Sequence, residues 1–148
     1  MNKKAIIETK AYPKDEIIYS HNDNSDYIYL IESGEVKILS KHGLELGILK
    51  EGEIFGEVGH ITERPRTVTA IAHTNTLIKV IHEKAIKEKM DASDPVLSAI
   101  IRGLSLRISD ANNLAEKYWL ELNIYKSLKE DWVYLNGWKR YYRRKSWK

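Results

Sequence analysis

The stretch Glu51-Gly52-Glu53-Ile54-Phe55-Gly56-Glu57-Val58-Gly59-His60-Ile61-Thr62-Glu63-Arg64-Pro65-Arg66-Thr67-Val68-Thr69-Ala70 decides how this chain is read. Three of its glycines, Gly52, Gly56 and Gly59, fall within eight residues. In a β-rich setting such glycines let backbone amides approach a ligand with no Cβ in the way. A short helical turn starting near Gly56 points its free N–H groups the same way, which suits an anion. Arg66, expected at the start of the next strand, adds a planar charged fork that meets two phosphate oxygens at once. Glu57 only accepts hydrogen bonds when ionised, so its natural counterpart is a sugar hydroxyl. The set asks for a ligand with both phosphate and hydroxyls, as a nucleotide has. The bland alternative is that Glu57 and Arg66 pair with each other across a turn.

Outward from this stretch, Tyr12 to Ile81 reads as short strands separated by turn residues, the pattern of an antiparallel barrel or sandwich. Glu16-Ile17-Ile18-Tyr19 precedes the polar loop His21-Asn22-Asp23-Asn24-Ser25-Asp26. Tyr27-Ile28-Tyr29-Leu30-Ile31, Gly34 and Glu35-Val36-Lys37-Ile38-Leu39 predict a hairpin. A second hairpin is expected to turn at Lys41-His42-Gly43 into strand 44–49. Strands 67–72 and 76–81, joined by His73-Thr74-Asn75, complete the β region.

After His82 the apolar period lengthens. Residues 84–90 predict a short helix, and Asp94-Pro95 starts a longer one, with Asp94 as N-cap and Pro95 at the first helical position. Leu97, Ile101, Leu104, Ile108, Ala111, Ala115, Tyr118, Leu122 and Tyr125 then form a heptad seam. Its first two turns are expected to lie on the chain's own β body. The remainder outreaches that body, and a homodimer through the seam is expected. Asn136-Gly137 reads as the helix end. The domain reading is therefore 1–93, a β-barrel with short flanking helices; 94–135, a long helix acting as lid and dimerisation element; and 136–148, a basic-aromatic tail.

At 148 residues the chain can bury one core without disulfides, and it has no cysteine to form them. That absence removes thiolate chemistry and Cys-ligated zinc, and fits a cytoplasmic protein. No apolar run approaches the roughly 18 to 20 residues of a membrane span, and Glu8 interrupts any signal-like start. The net charge of +3 hides an asymmetry. Residues 137–148 hold six Lys/Arg and no acid, leaving 18 basic against 21 acidic elsewhere. The tail Trp138-Lys139-Arg140-Tyr141-Tyr142-Arg143-Arg144-Lys145-Ser146-Trp147-Lys148 interleaves cations with aromatics. That composition suits single-stranded nucleic acid, an anionic membrane surface or an acidic partner, and equally a short helix packed back on the acidic body. His21, His42, His60, His73 and His82 show no metal-ligand spacing, and no nucleophile has an evident base. Neither a metal, a cofactor nor a catalytic residue is expected.

The central stretch resembles the phosphate-binding cassette of cyclic nucleotide-binding domains. That family's signature is a Phe-Gly-Glu run, a small residue two places on, and a downstream Arg followed by Ser, Thr or Ala. Phe55-Gly56-Glu57, Gly59 and Arg66-Thr67 match it here. Tyr12-Pro13, residues 27–36 and Gly52-Glu53-Ile54 extend the resemblance over roughly residues 8–125. It implies an antiparallel β-roll or jelly-roll barrel of double-stranded β-helix type, followed by a long C-terminal helix. It also implies a non-enzymatic sensor of cAMP or cGMP that signals to a partner through that helix. Glu57 would take the ribose 2′-hydroxyl and Arg66 the exocyclic phosphate oxygens, assisted by amides of Gly56, Val58 and Thr67. The Thr67 hydroxyl is compatible with contacting guanine or phosphate, and the base reader would come from Ala111, Asn112 or Asn113. Two departures stand out: His60 replaces the family's usual Leu, and the His21-Asn22 loop lacks the glycine common there. The competing expectation is a ligand-free scaffold acting through its tail. Transcription factors of the family carry a helix-turn-helix beyond this point, so direct sequence-specific DNA binding is not expected.

Overall fold

The computed structural model describes the backbone of residues 6–145 and the side chains of residues 8–135. Eight strands form two antiparallel sheets. One has the order β1 (Ile6–Tyr12), β8 (Thr76–His82), β3 (Tyr27–Ser33), β6 (Ile54–Phe55). The other runs β2 (Ile17–Tyr19), β7 (Thr69–Ala72), β4 (Val36–Leu39), β5 (Glu45–Leu49). The core lies between them: Tyr29, Ile31, Phe55, Ile78 and Val80 from the first sheet meet Tyr19, Val36 and Ala70 from the second. Alternation along β3 and β8 delivers Tyr29 and Ile31, and Ile78 and Val80, to one face. β3 is apolar on both faces, because Ile28 pairs in register with Ile81 behind the core and both are buried. That end of the sheet is where α1 (Glu57–Ile61) touches β3 and α2 (Glu83–Asp91) touches β8.

Several expectations need correction. The expected barrel does not close: β2 and β6, three and two residues long, are too short to carry a continuous hydrogen-bonded ring. Strand 27–31 does not form a hairpin with 35–39. Both edges of β3 are already taken by β8 and β6, and Gly34, at φ 89°, turns the chain into the opposite sheet. A Cβ at Gly34 would stand 2.6 Å from the Asn75 carbonyl oxygen, so the corner requires glycine. The hairpin at 41–43 does form, joining β4 to β5. β1 lay outside the expected strands. The strand expected from Thr67 starts at Thr69, which leaves Arg66 and Thr67 in the preceding loop. Asn22, in place of the family's glycine, adopts φ 72°, a conformation asparagine tolerates better than most residues.

The helices start where expected. The Asp94 carboxylate accepts from the amides of Val96 (2.8 Å) and Leu97 (3.4 Å), capping α3 (Pro95–Lys145). Asn136-Gly137 does not end that helix, which continues to Lys145. One interior glycine costs only about 1 kcal/mol against the propagation of a helix already formed. The tail's backbone is thus helical as far as Lys145, while its side chains lie outside the described residues. A compact unit containing both sheets ends at Asn113, so it includes the first turns of α3, and a second unit begins at Leu114. Within the first unit α3 buries Ser105 and Ser109 rather than the expected seam: Leu97, Leu104 and Ile108 stay about half exposed. Serines let the helix backbone approach closely, and they turn the seam outward.

Candidate functional site

The site grows from the end of β6. Phe55 pairs with Tyr29 across the sheet, and Gly56, at φ 80°, then breaks the strand and serves as the N-cap of α1. At Gly56 a Cβ would lie 2.7 Å from Nη1 of Arg66 and 3.1 Å from the Tyr29 ring, so glycine here makes room for the guanidinium. Gly59 has a different task. Its missing Cβ would meet the Arg64 carbonyl oxygen at 2.9 Å and Ser25 at 3.1 Å, letting α1 pack on the returning loop. That loop turns at Glu63 (φ 54°), and the Arg64 amide donates to the Gly59 carbonyl. Arg66 is then bracketed by the 20–26 loop: its amide donates to the Asp23 carbonyl (2.9 Å) and its carbonyl accepts from the Asn22 amide (2.8 Å).

The Arg66 side chain is almost fully buried, with 3% of the residue exposed. Nη1 donates to the Gly56 carbonyl (2.5 Å) and Nη2 to the Tyr27 carbonyl (2.6 Å). The buried Nε has no partner. The guanidinium carbon stands 4.3 Å from the centroid of the Tyr19 ring and 5.4 Å from that of Tyr29. Arg66 is thus anchored by carbonyls and rings, not by the expected alternative pairing with Glu57. Burial pushes the Glu57 carboxyl above its ordinary range, while its own backbone amide and Arg66 pull the other way. Burial also pushes the Tyr19 phenol up, against Arg66, so the ring under the guanidinium stays neutral.

These groups border a cavity of about 260 Å³. Phe55, Gly56, Glu57, Val58, Gly59, Arg66, Thr67 and Asn112 all line it. Asn113 does not; it is exposed beside Asn112 on the helix. Sequence reading missed the apolar wall of Ile38, Leu49 and Val68, together with Tyr19 and Ile108. No alternation marks Tyr19 out, because β2 carries a register irregularity between Ile17 and Tyr19 that leaves the first exposed and the second buried. A second cavity, about 350 Å³, is lined by His60, Glu63, Glu83, Lys87, Asp91 and Arg102. Its mixed charges give no field favouring a phosphate. There His60 Nδ1 lies 3.1 Å from Glu83 Oε2, tying α1 to α2 at the position where the family carries Leu. Among the described residues no group of three His, Asp or Glu side chains converges as a metal site, and no helix is long and apolar enough to cross a membrane.

Two packed sheets, a glycine-framed cavity and an adjoining helix define a small β-roll with a pocket lined from both sheets. The chain belongs to the cyclic nucleotide-binding domain family, whose family model matches residues 9–93. The cAMP-dependent protein kinase regulatory subunit of Pyricularia oryzae is 24% identical over 93 residues, 62% of this chain and 24% of that protein. The cyclic AMP receptor protein of Thermus thermophilus is 33% identical over 76 residues, 49% of this chain and 35% of that protein. Among solved structures, the cAMP-bound form of the EAL enzyme Bd1971 is 29% identical with a TM-score of 0.65, matching 84% of this chain and 34% of the enzyme. Its cGMP-bound form matches with a TM-score of 0.66. The chain spans about a quarter to a third of these proteins.

Proposed function

We propose that the chain binds a cyclic purine nucleotide, cAMP or cGMP, in the 260 Å³ cavity and that occupancy changes the surface α3 presents to a partner. The observation that carries this reading is that one cavity is walled by Glu57, Arg66 and Asn112 together. Glu57 accepts from a ribose hydroxyl, Arg66 donates to the phosphate, and the Asn112 amide offers donor and acceptor to a purine edge. Structures of Bd1971 with cAMP and with cGMP lend support. For occupancy to signal, a ligand touching both sheets and helix must bind one arrangement of α3 more tightly than another. The reading is of a regulatory module in the cytoplasm that binds without turnover.

The partner nearest to hand is a second copy. Of the seam residues, Leu97, Leu104, Ile108, Tyr118, Leu122 and Tyr125 are between 48% and 64% exposed. Apolar side chains at heptad spacing gain most by covering one another.

One observation favours the ligand-free scaffold instead: Arg66 already donates to two carbonyls. A guanidinium has five N–H donors, however, and those two bonds leave donors over for a phosphate. Calorimetry with cAMP and cGMP separates the readings. The sensor gives saturable heat at one site per chain, weakened by Asn112→Ala. The scaffold gives none, and shows a salt-sensitive interaction that disappears when residues 137–148 are removed.

A further inference from the structure

The aromatic floor beneath Arg66 lies outside the stretch that suggested a phosphate site. Tyr19 comes from β2, in the sheet opposite Tyr29 and Phe55. The residue is 6% exposed, and its ring stacks on Tyr29 at 5.7 Å and on Phe55 at 6.0 Å, while Tyr29 and Phe55 stack at 5.1 Å. Three mutually stacked rings drawn from both sheets make a rigid pad, and the guanidinium rests 4.3 Å from the centroid of the Tyr19 ring. The carbonyls of Gly56 and Tyr27 hold the two terminal nitrogens, which fixes the fork in its plane. Bonds of that kind leave the plane free to tilt about the line through them. A ring face under the charge removes that freedom, because the cation is attracted to the ring's negative face. Tyr19 also forms part of the cavity wall.

We propose that Tyr19 is a positioning residue for ligand binding: its ring sets the guanidinium plane of Arg66 so that the donors left over by the two carbonyls face a phosphate. The inference rests on the proposed reading of the cavity as a cyclic nucleotide site. It assigns the preorganisation of the anion site to a side chain in the opposite sheet. Leucine at this position would fill similar apolar space and keep most of the burial, but it has no negative face. With the plane unset, the ligand itself must order the guanidinium on binding.

Calorimetry of the full chain with cAMP and cGMP tests the assignment. Tyr19→Leu is expected to weaken binding by up to about 30-fold, the size of a desolvated cation–π contact. Tyr19→Phe is expected to restore it to within roughly two-fold, since the ring face remains. In an Arg66→Ala background Tyr19→Leu should cost nothing further, because there is no cation left to position. Should Tyr19→Leu not fold, phenylalanine with one, two and three ring fluorines at position 19 keeps the ring's outline while draining its face. Affinity should then fall with each fluorine. A flat fluorine series, or a Tyr19→Leu loss of the same size with and without Arg66, makes the ring a packing element only and overturns the inference while leaving the cavity's assignment intact. No heat from the unsubstituted chain with either nucleotide overturns both.

Discussion

Arg66→Ala removes the group on which site and local fold both depend, and the two consequences can be separated. In the ligand-free protein it strips the Gly56 and Tyr27 carbonyls of their donors. A buried acceptor left unsatisfied costs about 1 to 3 kcal/mol. The void opens onto a cavity of about 260 Å³ that can admit water, which places each loss at the lower end. The orphaned Nε disappears as well, a small relief. We therefore expect a net destabilisation of about 2 kcal/mol, a fall of roughly 4 to 8 °C in Tm for a chain of this size. Ligand binding loses the charge-assisted contact to phosphate, about 1.5 to 3 kcal/mol or roughly 10- to 100-fold in Kd. Thermal unfolding reads the first quantity; calorimetric titration well below the lowered Tm reads the second. A variant that melts lower yet binds cyclic nucleotide as tightly as the unsubstituted chain would show that Arg66 is a fold anchor and that the phosphate sits elsewhere.

Other perturbations probe other parts of the same structure. The Glu57 carboxyl is raised by burial, so the folded chain holds that proton more tightly than the unfolded chain. The cost of its charge is absent below the unfolded value, grows as pH rises between the two values and is complete above the folded one. Glu57→Gln should therefore raise the Tm of the ligand-free protein at neutral pH, with the gain vanishing at about pH 3.5, below the ordinary glutamate value, while binding weakens; equal gains at both pH values contradict the charge-burial argument. Gly34→Ala places a methyl against the Asn75 carbonyl at positive φ and should cost about 2 kcal/mol or more, read by urea unfolding, whereas a urea midpoint unchanged within error would mean the corner relaxes freely. Leu122→Glu puts a charge into the exposed seam, and sedimentation should show a dimer turning into a monomer with ligand affinity per chain retained. A monomer before the substitution removes the second-copy proposal.

The sequence exposed the site more clearly than it exposed the topology. Glu57 and Arg66 carry charge in a glycine-rich frame, and that chemistry shows at short range along the chain. The partner of strand 27–33 does not show in this way, because pairing depends on which edges the other strands have already taken. Gly34 looked like a hairpin turn, and only its crowding against Asn75 and Thr76 marks it as a crossing between sheets. Asn112 and Asn113 could not be told apart from sequence. One step along a helix turns a side chain by about 100°, and here that step takes it from cavity wall to solvent. Tyr19 was hidden for the converse reason: an inward aromatic on a strand looks like ordinary core until the charge above it is seen.

The crossing at Gly34 also gives the sandwich a mechanical polarity. The Glu35 amide donates to the Thr74 hydroxyl, and the Glu35 carbonyl accepts from the Thr76 hydroxyl and the His73 amide, so two of the passages between the sheets, β3 to β4 and β7 to β8, are stitched together at one end of β3. At the other end of β3, Tyr27 and Tyr29 serve Arg66, and nearby the cavity is bordered by a helix whose buried face offers serines. The two ends of the sandwich are therefore fastened by different means, backbone and hydroxyl bonds at the corner and stacked rings from both sheets at the pocket, so a change of side chain reaches the pocket end first.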